Sequence, residues 1–310
     1  LQLLAQLPVL LRIGYRPPQQ VNPFGPGVKR VLTRMGPAAL GAAVTQINVL
    51  VDRGLALWVG DYGPAALTFS ERLIYLPLGL FATALGTILL PEFSGLAHRK
   101  DQEGLARTLD QSLRGLAFLM IPASLGLGFL AMPIVEMVYA RGEFDETSVL
   151  LTARALRCYA PGLLIFSLAK VFVPFFYAHG DTRTPVKIGL YAVSGNLLLN
   201  LFFLWVLPEG WKHAGLALGT VLSELAQVTT LGILLHRRHV RLPLAPLLHS
   251  AGKHLLACLP MLGLAWFTLT QLTASPLLLR VPAAILAAAA AYAAATLLLR
   301  CRELREFRHQ

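Results

Sequence analysis

Residues 67–94 read LTFSERLIYLPLGLFATALGTILLPEFS, an apolar run interrupted near its start by Glu71 and Arg72. A helix of this length rises more than ~30 Å, which is enough to cross the hydrocarbon core of a bilayer. A charge at mid-bilayer costs roughly 2.5–3.5 kcal/mol, so a lipid-facing helix would not normally carry two. The stretch therefore predicts a membrane span with one face on a wet, protein-lined cavity. An ion pair that joins two helices is the alternative interpretation.

The composition of the whole chain favours the same class of protein. Hydrophobic residues make up 55% and charged residues 14% of the 310 residues, and the mean hydropathy is +0.61. Long apolar runs of this kind predict an all-α polytopic membrane protein rather than a soluble domain. The net charge of +11 does not indicate nucleic-acid binding, because the basic residues lie mostly in short loops between the apolar runs.

The apolar runs predict about eight complete transmembrane helices after an amino-terminal helix stub at 1–15 and a Pro/Gly-rich loop at 16–29. The predicted spans are 37–60, 67–91, 116–139, 149–177, 186–207, 214–235, 255–272 and 277–299. Residues 98–114 are interpreted as a short amphipathic or surface connection. The chain begins without Met, in the middle of an apolar run, so we expect an amino-terminal part to be missing. Of the 27 Lys and Arg, 19 fall on one set of alternating loops and 3 on the other, which predicts that the first set and the carboxyl terminus are cytoplasmic.

Polar residues within the spans suggest a cation site. Asn48 and Asp52 are four residues apart and share a helix face, and so do Asn196 and Asn200. With Thr220, these side chains could supply oxygen ligands to a hard cation if their three helices meet. Hydrogen bonding between helices is the alternative.

Basic residues within the spans suggest an anion site. They are Arg53, Arg72, Arg154, Arg157 and Lys170. Facing a common cavity together with Glu71, they would suit an anionic substrate. Arg154 and Arg157 could instead extend to lipid headgroups.

Two further patterns bear on mechanism. Pro77 with Gly79, and Pro174, interrupt apolar runs and predict hinges. The sequence contains no recognisable catalytic motif, and Cys158, Cys258 and Cys301 lack metal-ligand spacing. We therefore expect a protein that is not an enzyme.

Several short motifs, in their order and spacing, resemble the MurJ (MviN) family of lipid II flippases over about residues 1–240. They are GPA at 36–38, QIN at 46–48, ERL at 71–73, LPLGLF at 76–81, LGTILLP at 85–91, RGEF at 141–144, KVFVPFFYA at 170–178 and DTRTPVK at 181–187. The resemblance implies a fourteen-helix transporter of the MOP superfamily, with a MATE-like bundle. This chain would cover the end of helix six through helix fourteen.

The resemblance also implies a function and its residues. Such a protein moves undecaprenyl-pyrophosphate-linked peptidoglycan precursor across the bacterial inner membrane by alternating access, for cell-wall biosynthesis. Arg72 would meet the pyrophosphate, and the last two spans would help form a groove for the lipid tail. A sodium site would comprise Asp52, Asn196, Asn200 and Thr220, with a carbonyl near Leu216. Asn200 replaces a carboxylate of some members, which weakens the charge match for sodium.

The predicted domains are a helix end and inter-lobe loop (1–35), a six-helix transport lobe (36–241), and two extra helices with a basic tail (242–310). The expected partners are lipid II, membrane lipids and the missing amino-terminal lobe, with no cofactor other than possible Na⁺. The alternatives are an exporter of another polyprenyl-linked polysaccharide, a MATE-type drug antiporter, a non-transporting scaffold, and an enzyme acting on polyprenyl phosphates. Intramembrane Arg and Lys disfavour a cationic drug, and the missing catalytic cluster disfavours the enzyme.

Overall fold

The computed structural model describes residues 46–301 continuously, together with Pro8, Arg12, Gly25, Val28 and Lys29. The chain divides into two compact units, Leu1–Leu40 and Gly41–Gln310, and the elements below belong to the second. The predicted helix stub, the start of the first span and most of the basic tail lie outside the described residues.

The described part of the chain contains helices and no strand. They are α1 (46–59), α2 (Tyr62–Pro77), a π-helical segment (Leu78–Thr83), α3 (Ala84–His98), α4 (Gln102–Phe129), α5 (Ala131–Tyr139), α6 (Glu146–Tyr159), α7 (Gly162–Ala178), α8 (Arg183–Val206), α9 (Glu209–Arg238), α10 (Leu244–Gln271) and α11 (Leu277–Leu298).

Six helical stretches among the described residues are long and apolar enough to cross a membrane, and α6 with α7 form a seventh if this bent pair is one span. Residues 67–94 lie within one of them, which runs from Tyr62 to His98 through α2, the π segment and α3. Seven of the eight predicted spans therefore have a counterpart, and the remaining one is described only as α1. The all-α polytopic prediction is confirmed.

The segment 98–114, predicted as a short amphipathic or surface connection, is not a separate element, because most of it forms the first turns of a membrane-spanning helix. α4 begins at Gln102, and Asp101 caps it by accepting a hydrogen bond from the Gly104 N–H at 2.8 Å. The charged residues from Glu103 onward lie along α4, where Arg114 pairs with Asp110 at 2.7 Å. A search for apolar runs does not detect the start of this helix, because the first turns of α4 are charged and precede the apolar run that begins at 116. α4 ends at Phe129, and the end of the predicted third span forms the separate helix α5.

The two predicted hinges differ in their local structure: one lies at a π-helical segment and the other lies within a regular helix. Pro77 directly precedes the π-helical segment, which contains Gly79. The bend of 45° in the other span lies between Tyr159 and Gly162, where α6 gives way to α7. Pro174 lies inside α7, well beyond that bend.

Two apolar clusters hold the helices together. The larger one joins α1–α9 and includes the buried rings of Phe93, Phe175 and Phe176. The smaller one packs α10 and α11 against α4 and α5, through residues such as Ile121 and Met261. The last two helices thus have a core of their own against one side of the bundle.

Gly86 allows α3 to approach α7 closely. A Cβ added at Gly86 would lie 2.9 Å from the backbone oxygen of Lys170, so a side chain there would force the helices apart. Small residues at such crossings are typical of helix packing in membranes.

We predict opposite effects of Gly→Ala at two helical positions. Gly86→Ala should lower the thermal unfolding temperature of the detergent-purified protein, because overpacking costs about 1–3 kcal/mol. Gly115→Ala is the control: nothing lies within 4 Å of its added Cβ, so it should leave stability unchanged or raise it. Equal unfolding temperatures for the two variants would contradict the close packing of α3 on α7.

Candidate functional site

Glu71 is held by side chains from two other helices. The Arg53 Nη2 group of α1 donates a hydrogen bond to Glu71 Oε2 at 2.7 Å, and its Nη1 donates to the Pro64 carbonyl at 3.3 Å. The hydroxyl of Tyr159, on α6, donates to Glu71 Oε1 at 3.0 Å. Both carboxylate oxygens are engaged, so the interhelical ion pair considered as the alternative is what the structure shows for Glu71.

Tyr159 is a residue that the sequence reasoning missed. Its side chain is 4% exposed, and in an apolar run a tyrosine looks like any packing aromatic. The only available signal was indirect: an intramembrane carboxylate needs donors for both of its oxygens.

Arg72 has a different environment from its neighbour Glu71. Adjacent residues point about 100° apart on a helix, and the Arg72 side chain is exposed. Its guanidinium lies 5.5 Å from the centroid of the Phe69 ring. Within the described residues, it makes no ion pair or hydrogen bond. The Arg72 donors are thus not engaged by any residue that the structure describes.

The other predicted cations lie in separate places. Lys170 of α7 is exposed and is attracted by Glu224 of α9. Arg154 of α6 donates to the Gly210 carbonyl at 2.8 Å and lies 4.9 Å from the Trp211 ring centroid. Arg157 is exposed on the same helix. Arg154 thus joins α6 to the first turn of α9.

The predicted cation-site residues come together where α1, α8 and α9 meet. The Asn200 Nδ2 group donates to Asp52 Oδ1 at 2.7 Å and to Asn196 Oδ1 at 3.0 Å. The Thr220 hydroxyl lies 3.4 Å from Asp52 Oδ2 and 3.1 Å from the Leu216 carbonyl oxygen, either of which can accept its hydrogen bond. Asn196 and Asn200 are 1% and 0% exposed.

The side-chain amide of Asn196 can be placed in two orientations, of which the second satisfies its hydrogen bonds. In one, its oxygen lies 3.0 Å from Asp52 Oδ1 and 3.1 Å from Asn48 Oδ1, so three oxygens converge. Turned by 180°, its nitrogen donates to those two oxygens, and its oxygen accepts from the Thr220 N–H at 3.1 Å. The first orientation suits a cation and the second suits a cluster without one.

The donor set fits a hard, weakly charged cation. It comprises one carboxylate, amide oxygens, a hydroxyl and a backbone carbonyl, which are oxygen ligands. In the described part of the chain, the buried Asn200 Oδ1 has no hydrogen-bond partner, so one more oxygen is available if that amide turns.

An apolar cavity of about 520 Å³ lies beside α2. Residues of α2, α4, α5, α10 and α11 line it, among them Leu73, Pro77, Pro122, Met261 and Ile285. Leu73 and Leu76 bring its wall to within one helical turn of Arg72. The sequence allowed a groove at the last two spans but did not locate this one, since it is formed by five helices distant in the chain.

We predict that Asn200→Leu lowers stability. Asp52 would lose a buried donor at 2.7 Å, which costs about 1–3 kcal/mol. Thermal unfolding in detergent measures the loss. Ser194→Ala, at an exposed position of α8, is the matched control and should have little effect. An Asn200→Leu variant as stable as Ser194→Ala would show that the cluster does not hold the three helices together.

The sequence of this chain matches a family of known proteins. The sequence model of the family described as "Lipid II flippase MurJ" matches residues 1–287. A probable lipid II flippase MurJ of Vibrio cholerae is 37% identical over 239 residues, covering 77% of this chain and 45% of the relative. The lipid II flippase MurJ of Burkholderia cenocepacia is 34% identical over 229 residues, covering 73% and 44%. The chain thus spans about half the length of these relatives.

Solved structures support the architecture. A lipid II flippase MurJ in an inward closed conformation matches with a TM-score of 0.73 at 23% identity, covering 93% of this chain and 57% of that one. An outward-facing MATE transporter of the MOP superfamily matches with a TM-score of 0.59 at 16% identity, covering 84% and 62%. At these identities, the similarity shows the fold alone, which is the predicted MATE-like helical bundle.

Proposed function

Because this chain belongs to the lipid II flippase MurJ family, we propose that it forms the carboxyl-terminal part of a lipid II flippase. The transported molecule is undecaprenyl-pyrophosphate-linked saccharide, moved from the inner to the outer leaflet for cell-wall biosynthesis. One observation supports the assignment above all: an exposed Arg72 without an anionic partner in the described part of the chain stands one turn from a large apolar cavity. A lipid diphosphate combines the two chemistries that this pair of features would bind.

Arg72 acts on the headgroup. A guanidinium can donate two parallel hydrogen bonds to phosphate oxygens, and such charge-assisted pairs are about twice as strong as neutral ones. The exposed Lys170 supplies a second positive charge on the lobe. Exposed positive charges of this kind attract an anionic headgroup and disfavour cationic drugs.

The apolar cavity holds part of the isoprenoid tail. Its walls are side chains such as Leu119, Met261 and Ile285. These apolar side chains can pack against the hydrocarbon tail. Part of the isoprenoid tail would stay in this cavity while the headgroup crosses the membrane along polar side chains. Leu73 and Leu76 would then mark the boundary between the tail site and the headgroup site.

The remaining assignments follow from family and topology. The protein is a multi-pass membrane protein, which we place in the bacterial inner membrane with a cytoplasmic carboxyl terminus, following its Lys and Arg distribution. Its partners are lipid II, membrane lipids and an amino-terminal lobe, and not nucleic acid. It transports and does not catalyse. Family membership favours this function over a polysaccharide exporter, a drug antiporter or a scaffold.

Sodium is the proposed coupling ion. Asp52, Asn196, Asn200 and Thr220, with the Leu216 carbonyl, would hold it. When bound, it supplies a positive charge that balances Asp52. These residues link α1 to α8 and α9, so the cluster orients α1 relative to the rest of the lobe.

We predict that Arg72→Ala in the full-length protein lowers lipid II externalisation in cells by about 10- to 100-fold, the loss expected for hydrogen bonds to a charged group. Arg107→Ala removes an equally long cation from an exposed pair on α4 and should leave externalisation unchanged. Normal externalisation by an Arg72→Ala protein present at wild-type level would refute the anion-binding role.

A further inference from the structure

We propose that Arg53 and Tyr159 are positioning residues of the anion site: they hold and neutralise Glu71, so that Arg72 keeps its positive charge for the diphosphate. The inference rests on the function proposed above, because it assumes that Arg72 meets an anionic headgroup.

The geometry gives Glu71 one partner for each oxygen. Arg53 binds Oε2 at 2.7 Å, and Tyr159 binds Oε1 at 3.0 Å. The Arg53 and Glu71 side chains are 26% and 27% exposed, so both charges are partly withdrawn from water. Because one donor comes from α1 and the other from α6, each carboxylate oxygen has its own partner, and the carboxylate cannot turn toward Arg72 without breaking a bond.

The charges explain why this matters for a ligand. Glu71 is the residue next to Arg72, and a free carboxylate there would attract the guanidinium and repel a diphosphate. The ion pair of Glu71 with Arg53 has no net charge, so the Glu71 carboxylate no longer offsets the charge of Arg72. Arg72, whose described neighbour is the Phe69 ring, then presents a full unit of positive charge.

The same contacts give Arg53 a different role from the one predicted from the sequence, which was to line the cavity as a cation. Both of its terminal nitrogens are used within the protein, on Glu71 and on the Pro64 carbonyl. Arg53 therefore acts on the ligand through Glu71 and not by touching it.

The experiment compares each substitution with and without the Glu71 charge. Full-length protein in detergent is titrated with undecaprenyl diphosphate, and the dissociation constant is measured. Tyr159→Phe and Arg53→Ala should each weaken binding by about 3- to 10-fold, the range of partly exposed charge interactions. In a Glu71→Gln background, each should bind within about twofold of Glu71→Gln alone, since no free carboxylate remains to compete.

Tyr139→Phe is the matched control. Its hydroxyl donates to the Phe69 carbonyl at 3.3 Å, near Arg72 but not to Glu71, so Glu71→Gln should not alter its effect. Thermal unfolding establishes that each variant is folded, and the Tyr159 pair decides the question if Arg53→Ala does not fold.

Two results separate the inference from the proposed function. If Arg72→Ala binds undecaprenyl diphosphate as the wild type does, the anion site itself is wrong. If Arg72→Ala loses binding while Tyr159→Phe stays equally weak with and without Glu71→Gln, the anion site stands and the positioning role of Tyr159 and Arg53 is overturned.

Discussion

The ion pair between Arg53 and Glu71 is the interaction on which the polar interior of this lobe depends. A lone carboxylate among apolar helices would be costly, and leaving one partner of a partly buried pair unpaired costs more than the pair itself contributes. The pair is completed by Tyr159, so three helices share one carboxylate. Once that charge is satisfied internally, Arg72 can remain exposed without an acidic neighbour competing for it.

α1 is tied to the bundle by successive residues that point in different directions. Asp52 contacts α8 and α9 through Asn200 and Thr220, and Arg53 contacts α2. Few of its apolar side chains are buried, and Leu50 and Trp58 are 71% and 83% exposed. The position of this helix therefore depends on polar contacts more than on packing, and a change at the Asp52 cluster is adjacent to the Glu71 pair.

Sequence reasoning could reach features that have a local signature. Apolar runs gave the spans, and the four-residue spacing of Asn196 and Asn200 gave a shared polar face that proves to meet Asp52. It could not reach features that depend on which helices are neighbours. The hydroxyl of Tyr159, the use of Arg53 by Glu71, and the capture of Arg154 by the first turn of α9 are all contacts between distant segments. The start of α4 was missed for another reason: Leu105, Leu109, Leu113 and Leu116 recur at helical spacing there, but charged residues separate them and no apolar run is formed.

The π-helical segment after Pro77 sets the rotational phase between α2 and α3. A single residue more or fewer in that segment would turn everything downstream by about 100° about the helix axis. Gly86, which must face the Lys170 backbone, would then be replaced at the crossing by a bulkier neighbour. The length of this wide turn, more than the identity of its side chains, is therefore what natural variation in this region must preserve.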